Sequence, residues 1–289
     1  MTRLKIDHET SYAYELPVLW SSHLAHLTPR ETARQKWVSH RILIEPEPTV
    51  LQERVDIFGN RLLAFSVERE YQSFRVFAEG EVEVVAEKPP ETSPSWEQIV
   101  ETLKTGAADL DAVQYAFSSP YAQTDETVRR YAAPSLSPER PVHEVAADLM
   151  HRVHADCRYA PGVTRIGDQP ADILRMRQGV CQDFAHLMVA ALRSWGLAAR
   201  YVSGYLRTYP PPGQQKLVGC DATHAWVSVW CGDRWIEYDP TNDIFAGEDH
   251  VVIAWGRDFG DVSPLKGVIT GGGASTLRVG VNVNPITPL

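Results

Sequence analysis

The hydrophobic pattern of this chain changes its period at a proline-rich segment, residues 88–95. Before this segment, apolar and polar residues alternate, most clearly over residues 74–86. A period of two is typical of half-buried β-strands, whereas the stripe that follows Cys181 has the period of a helix. The sequence therefore predicts a β-rich N-terminal part followed by a part that contains buried helix.

Residues 1–90 are predicted to form an antiparallel β-domain similar to a sandwich. Strands are expected over residues 4–14, 41–46 and 74–86, and residues 50–67 indicate two strands joined through Phe58, Gly59 and Asn60. Glycine and asparagine at that turn can supply the positive φ of a tight hairpin. Residues 91–141 are predicted to be a linker and helical connection, which the prolines extend at its start.

Residues 142–289 are predicted to form a second unit. A helix is expected from His143 to about Val153, and a shorter one over residues 172–178. After Cys181, apolar residues at 184, 187, 188, 191, 192 and 195 form the stripe of a buried amphipathic helix, which Gly196 ends. Strands are expected over residues 199–206, 225–230 and 234–238. Because helices precede an antiparallel meander, the predicted fold class is α+β.

Composition and charge exclude several classes of protein. The formal charge of −9 disfavours binding to nucleic acid, whose phosphates need a basic surface. No apolar run approaches the roughly 20 residues that a membrane helix requires, and the first nine residues turn acidic before an apolar export signal could form. We therefore expect a cytoplasmic protein without membrane association, whose four cysteines are free thiols.

Metal and cofactor sites are not expected. His151, His154 and Cys157 recur at three-residue steps, which could suggest a stripe of metal ligands, but one face of a helix that ends near a loop gives the same spacing. The chain also has no glycine-rich nucleotide loop and no D-x-D-x-D-G calcium loop.

Cys181 stands at the expected first turn of the buried helix, just before its apolar stripe begins. The positive end of a helix dipole favours a thiolate, which is the nucleophilic form of a thiol. His224 begins one predicted strand and Asp239 ends the next, so an antiparallel hairpin would bring these two side chains to roughly facing positions. A thiol, an imidazole and a carboxylate can form a nucleophile, its base and an orienting group.

The segments around these residues resemble the transglutaminase-like superfamily. The similarity lies in residues 179–187 and 193–205, in Asp-Ala-Thr-His-Ala-Trp at 221–226 and in Asp-Pro-Thr-Asn at 239–242, and it covers about residues 145–262. Residues 56–60 resemble the N-terminal domain that precedes this core in bacterial members. The resemblance implies a papain-like cysteine-protease fold with Cys181, His224 and Asp239 as its catalytic triad, and it places residues 256–259 in the same unit. Established cross-linking members are often larger and calcium-dependent, so the lack of a calcium loop makes calcium activation unexpected here.

These features predict acyl transfer through a thioester of Cys181 at an amide of a peptide, a protein or another substrate. The backbone N–H of Cys181 is the expected first oxyanion donor. Further candidates are Gln182 and Tyr159 for the second donor, Tyr205 and Trp226 for the walls of the cleft, and residues 209–215 for a rim loop. Three functions stay open: transfer to an amine, hydrolysis by a peptidase or amidase, and a non-catalytic peptide- or protein-binding module on the same fold.

Overall fold

The N-terminal part of the protein is an antiparallel sheet organised around one long strand. The structure, a computed structural model, describes residues 1–108, 110–209 and 222–286. The first five strands run in the spatial order β2-β5-β1-β4-β3. Their bounds are β1 (Thr2–Ala25), β2 (Gln35–Glu45), β3 (Val50–Val55), β4 (Arg61–Val67) and β5 (Tyr71–Val84).

Strand β1 has two halves with different neighbours. Its first half pairs with β5 and with β14 (Ser275–Pro285), and its second half pairs with β4 and with β13 (Leu265–Gly271). The sequence placed the C-terminal strands in the unit of residues 142–289 and suggested a two-sheet sandwich. The structure instead joins these strands to β1 in one sheet, because an alternating pattern marks the buried face of a strand but not its partner.

The predicted turn between β3 and β4 is present and also anchors the second unit. Asp56 Oδ1 accepts the N–H groups of Phe58 at 2.9 Å and Asn60 at 2.8 Å, and Gly59 has a φ of 75°. Asn60 then exchanges two hydrogen bonds with the backbone of Trp255, at 2.8 and 3.0 Å. The turn therefore fixes the N-terminal sheet against the C-terminal part of the core.

The second unit surrounds one buried helix, α6 (Cys181–Arg193), in which every residue from 183 to 193 is buried. The helix is enclosed by helices on one side and by strands on the other, so its predicted apolar stripe is only part of its buried surface. At its end, Gly196 (φ 82°) and Leu197 donate to the carbonyls of Arg193 and Leu192, which confirms the predicted glycine stop. The remaining helices are α1 (Trp96–Lys104), α2 (Leu110–Val113), α3 (Glu126–Ala132), α4 (Val142–Asp156), α5 (Pro170–Met176) and α7 (Phe259–Val262), with 3₁₀ turns at Gln114–Ala116 and Ala133–Ser135. Within the described ranges, no helix combines the length and the apolar character needed to cross a lipid bilayer.

A five-stranded antiparallel sheet packs against α6, with its strands in the order β11-β10-β9-β8-β12. Its strands are β8 (Ala199–Leu206), β9 (Ala222–Trp230), β10 (Trp235–Asp239), β11 (Ile244–Phe245) and β12 (His250–Gly256). A short parallel pair, β6 (Arg158–Tyr159) and β7 (Gln178–Gly179), precedes the helix. The prediction of an α+β chain, with an antiparallel β-domain before a papain-like core, is confirmed.

Candidate active site

The first turn of α6 holds Cys181 in place through a buried carboxylate. Asp183 accepts the backbone N–H of Val180 at 2.8 Å and the hydroxyl of Thr164 at 2.7 Å. A Cβ atom on Gly179 would lie 2.7 Å from Asp183 Oδ2, so only glycine leaves room for this cap. Burial raises the pKa of Asp183. The half-buried thiol of Cys181 therefore stands on a helix start with a fixed geometry.

His224 and Asp239 meet on one face of the β9–β10 hairpin. Nε2 of His224 lies 2.7 Å from Oδ2 of Asp239. The register pairs Tyr238 with Val227, which puts Asp239 opposite Trp226, two positions from His224. The two side chains are therefore diagonal neighbours rather than facing ones, and they still contact because side chains two positions apart share a face.

Asp239 is fully buried and accepts hydrogen bonds from several donors. Its Oδ2 also accepts hydrogen bonds from Nε2 of His250 at 3.1 Å and from Nδ2 of Asn242 at 2.7 Å. Its Oδ1 receives the backbone N–H groups of Thr241 at 2.9 Å and Asn242 at 3.2 Å. Burial by itself would raise the pKa of Asp239, but the hydrogen bonds and charges of the two histidines hold it well below its usual range. The carboxylate is therefore ionised.

The imidazole of His224 contacts both the carboxylate and the thiol. Burial by itself would lower the pKa of His224, but hydrogen bonds to Asp239 and Cys181, together with their charges, raise it to about 10. Because Nε2 faces Asp239, Nδ1 is the ring nitrogen left for the thiol of Cys181. The site can therefore hold an imidazolium beside a thiolate, and the structure brings all three predicted triad residues together.

Two of the further candidates lie near the thiol. Tyr159, on β6, is 53% exposed, and its pKa is raised by burial and by the negative charge of Cys181. Gln182 is half-buried in the first turn of α6. Both residues therefore remain candidates for the second oxyanion donor.

Trp226 supports the imidazole of His224 from inside the protein. Its ring is fully buried and is stacked 5.9 Å from the ring of His224, and its Nε1 donates to Glu237 at 2.7 Å. A Cβ atom on Gly204 would lie 2.5 Å from the indole and 2.0 Å from the carbonyl oxygen of Val251. Trp226 therefore does not form an exposed cleft wall, and the glycine on β8 makes its position possible.

Tyr205 lies on the other face of the same sheet. Gly204 pairs with His224, so the next residue along β8 points away from the histidine. The hydroxyl of Tyr205 is 2.7 Å from Nδ1 of His8, on β1, and the residue is 3% exposed. The expectation that Tyr205 forms a wall of the cleft is therefore wrong, because the strand alternation turns it toward the N-terminal sheet. In the predicted rim segment, Tyr209 donates to Asp249, and residues 210–215 lie outside the described residues, as does Asp221.

His250 is a site residue that no sequence motif indicated. Its Nδ1 accepts the N–H of Gly247 at 3.2 Å, so the ring proton must lie on Nε2, which faces Asp239. Asn242 belongs to the Asp-Pro-Thr-Asn motif at 239–242. Its Nδ2 also lies 3.4 Å from Nε2 of His224, a contact that depends on the geometry of the loop after β10. Both residues hold the carboxylate that orients His224.

The side chains of His224, Asp239 and His250 offer ligand atoms within 4.8 Å of one another. Hydrogen bonds account for this proximity, because both imidazoles direct Nε2 at the same carboxylate oxygen. His151 and His154, the histidines that could have suggested a metal-ligand stripe, lie on α4 and also hold this region together. His154 Nδ1 contacts the carbonyl oxygen of Thr241 at 2.9 Å, and His151 forms a hydrogen bond with Asp243. The residues therefore form a hydrogen-bonded support for Asp239.

Cys157 and Cys231 provide an internal comparison for the thiol of Cys181. All three described cysteines are free, and Cys220 lies outside the described residues. Burial raises the pKa of Cys157 to about 11 and that of Cys231 to about 12. The charges that act on these two thiols are those of Asp156 and Arg177 at Cys157 and those of Asp233 and Arg234 at Cys231.

Comparisons with known proteins place the same residues in context. A sequence profile described as the transglutaminase-like superfamily matches residues 127–240, and one described as the bacterial transglutaminase-like N-terminal region matches residues 4–83. An uncharacterized protein of Mycobacterium tuberculosis is 38% identical over 98% of this chain and 93% of its own length.

Two further comparisons cover different parts of the chain. A protein-glutamine gamma-glutamyltransferase of Pseudomonas aeruginosa is 33% identical over 35% of this chain and 16% of its own length. The crystal structure of a candidate cysteine protease from Cytophaga hutchinsonii covers 99% of this chain and 91% of its own, with a TM-score of 0.78 and 20% identity. The structural likeness extends over both units and shows a shared fold.

Proposed function

The chain belongs to the transglutaminase-like superfamily, and on this premise we propose that it catalyses thiol-dependent acyl transfer or hydrolysis at an amide. The family matches confirm the resemblance predicted from the motifs. The observation that carries the proposal is the position of His224, which bonds to Asp239 at 2.7 Å and to the thiol of Cys181 through the same ring. Such a chain of groups activates a nucleophile and supplies the proton that a leaving amine needs.

The proposed reaction has two halves. The thiolate of Cys181 attacks the amide carbonyl, and the tetrahedral intermediate collapses to a thioester while Nδ1 of His224 gives its proton to the leaving amine. The acceptor, water or an amine, then loses a proton to Nδ1 and attacks the thioester, which releases the thiolate. Asp239 keeps Nε2–H oriented throughout, and the backbone N–H of Cys181 is the first donor to the oxyanion, since the first N–H groups of a helix have no partner within it.

The side chain of glutamine is the substrate group that we favour. The relative from Pseudomonas aeruginosa is named for transfer at protein glutamine and aligns with about a third of this chain. A glutamine side chain in a peptide or protein presents a primary amide whose leaving group is ammonia, which a protonated imidazole can assist.

Hydrolysis is a second function of the same thioester. The thiol of Cys181 is half-buried and its neighbour Tyr159 is 53% exposed, so water has access to this side of the site. The chemistry up to the thioester is identical for a transferase and for an amidase. The acceptor alone separates the two.

The test uses the full chain with a glutamine-containing peptide and dansylcadaverine. Incorporation of the fluorescent amine indicates transfer, and release of ammonia with formation of glutamate indicates hydrolysis. Cys181→Ala is the matched control and should show neither reaction. The proposal fails if the wild-type protein shows neither reaction and if iodoacetamide alkylates Cys181 no faster than Cys157 and Cys231. That outcome would favour a non-catalytic binding module.

A further inference from the structure

A cavity lies away from the thiol of Cys181, between the N-terminal sheet, the linker and the core sheet. Its volume is about 300 Å³, which is at the lower end of the range for small-molecule sites. Three segments enclose it: the loop before β2, the linker after β5, and the face of the core sheet that also carries His224. Its lining includes Arg34, Lys88, Arg200, Trp235, Phe245 and Trp255.

Arg200 is the buried cation of this cavity. It is 5% exposed, and its guanidinium carbon lies 3.4 Å from the ring centroid of Trp235 and 4.2 Å from that of Trp255. Both indoles lie within cation–π distance of the guanidinium group, whose N–H groups lie along its edge. Its Nε is buried and has no hydrogen-bond partner within residues 1–108, 110–209 and 222–286.

Two other arginines with little exposure, Arg193 and Arg34, have acceptors. Arg193 donates to three backbone carbonyls and to the hydroxyl of Ser119, and Arg34 is paired with Glu237. Glu237 acts on Arg200 only through its charge. Burial lowers the pKa of Arg200 to about 9, so the group is still cationic at neutral pH. A desolvated N–H group without an acceptor is costly, and an anion in the cavity would supply the acceptor that Nε lacks among the described residues.

The charges around the cavity favour the same kind of ligand. The lining carries four basic side chains against two acidic ones. Two ion pairs, Arg34–Glu237 and Arg234–Glu87, balance both acids, which leaves Lys88 and Arg200 as the surplus cations of the lining. Arg30 adds a further cation, 3.6 Å from the ring centroid of Trp255. The remaining walls are apolar and aromatic. The cavity therefore matches a molecule that has an anionic end and an apolar body.

We propose that this cavity is a binding site for a small organic carboxylate. Arg200 binds the carboxylate group, and Trp235, Trp255 and Phe245 pack against the apolar part of the ligand. A planar guanidinium presents two parallel N–H donors, which match the two oxygens of a carboxylate. The cavity is spatially separate from the reaction proposed at Cys181, because neither Cys181 nor His224 lines it.

Isothermal titration of the full chain with 3-phenylpropionate at pH 7 tests the site. Saturable binding of one molecule is expected, with at least about tenfold weaker binding of the neutral amide 3-phenylpropionamide and of inorganic phosphate. Equal binding of the amide would overturn the role of Arg200, and tighter binding of phosphate would overturn the role of the apolar walls. Absence of any saturable binding of 3-phenylpropionate would reject the proposal.

Variants separate this site from the thiol and from the cavity rim. Arg200→Met should weaken binding of 3-phenylpropionate at least about tenfold, and Arg200→Lys, which keeps the charge without the planar fork, should weaken it several-fold. Arg234→Gln is the matched rim control, since Arg234 is half exposed and pairs with Glu87, and it should change affinity less than about threefold. Cys181→Ala should bind like the wild type. Unchanged binding by Arg200→Lys, or lost binding by Cys181→Ala, would place the probe elsewhere; circular dichroism checks that each variant is folded.

Discussion

His250 and His224 donate to the same carboxylate oxygen, Oδ2 of Asp239, at 3.1 and 2.7 Å. Only His224 also reaches the thiol, so the two imidazoles have different tasks on one carboxylate. His250 is fixed in its tautomer by the N–H of Gly247 and can act only as a donor. We therefore treat His250 as a positioning residue for Asp239.

Replacing His250 should slow the reaction without weakening substrate binding. We expect His250→Phe to lower kcat roughly 10-fold to 100-fold, the range for residues that orient a catalytic ligand, with little change in KM. His250→Gln should recover most of this loss, because a glutamine amide can place a donor near the position of Nε2. Steady-state kinetics of both variants make the comparison. A rise in KM alone, or no difference between the two substitutions, would remove this role.

The triad residues should differ in how much activity they support. Cys181→Ala should abolish turnover, because it removes the nucleophile, while the fold is retained since a half-buried thiol at a helix end contributes little packing. His224→Ala should lower kcat/KM roughly 10²- to 10⁴-fold. Asp239→Asn should cost less than His224→Ala, because it disturbs orientation and charge but keeps the base. Single-turnover rates test the order, and equal losses for the last two would contradict it.

The pH dependence of activity should report the raised pKa of His224, about 10. The leaving amine needs a proton from the imidazolium, so kcat/KM should fall as the pH rises through this value. The ion pair with Asp239 should also add stability that is fully present below the unfolded pKa of about 6.5 and is lost through pH 10. In Asp239→Asn the alkaline limb should move to lower pH. If the alkaline limb of Asp239→Asn stays at the pH of the wild type, this limb does not report the titration of His224.

Gly204→Ala should disturb the support beneath His224. The added Cβ would clash with the carbonyl of Val251 and the indole of Trp226, and such overpacking costs about 1–3 kcal/mol. We expect a lower melting temperature and reduced kcat. Gly247→Ala is the matched control, because no atom lies within 4 Å of its added Cβ. If both alanine variants melt at the same temperature as the wild type, the tight contact has no energetic role.

The sequence predicted which side chains meet at the site better than it predicted their surroundings. Cys181 could be placed because a helix start, an apolar stripe and a glycine stop are all local features, and the hairpin likewise linked His224 to Asp239. The functions of His250, Gly204 and Tyr205 could not be predicted in the same way. Their contacts depend on which strands pair and in what register, and this information is distributed over residues far apart in the chain.

The catalytic roles of the triad residues, the partners and the cytoplasmic location remain predictions of the sequence, which left the acceptor of the acyl group open. The same holds for the expected lack of a cofactor. By contrast, the fold and the family are established by the sheet topology and by the matches over residues 4–83 and 127–240.

The pairing of β1 with β13 and β14 has a consequence for biosynthesis. Leu4 pairs with Pro285, so after β1 is synthesised more than two hundred further residues must follow before its sheet is complete. Until then an edge of β1 has unpaired backbone groups, which can pair with other chains. Such distant pairing also slows folding, because the intervening loop must close first. We therefore expect that β1 must be shielded from pairing with other chains until β13 and β14 have been synthesised.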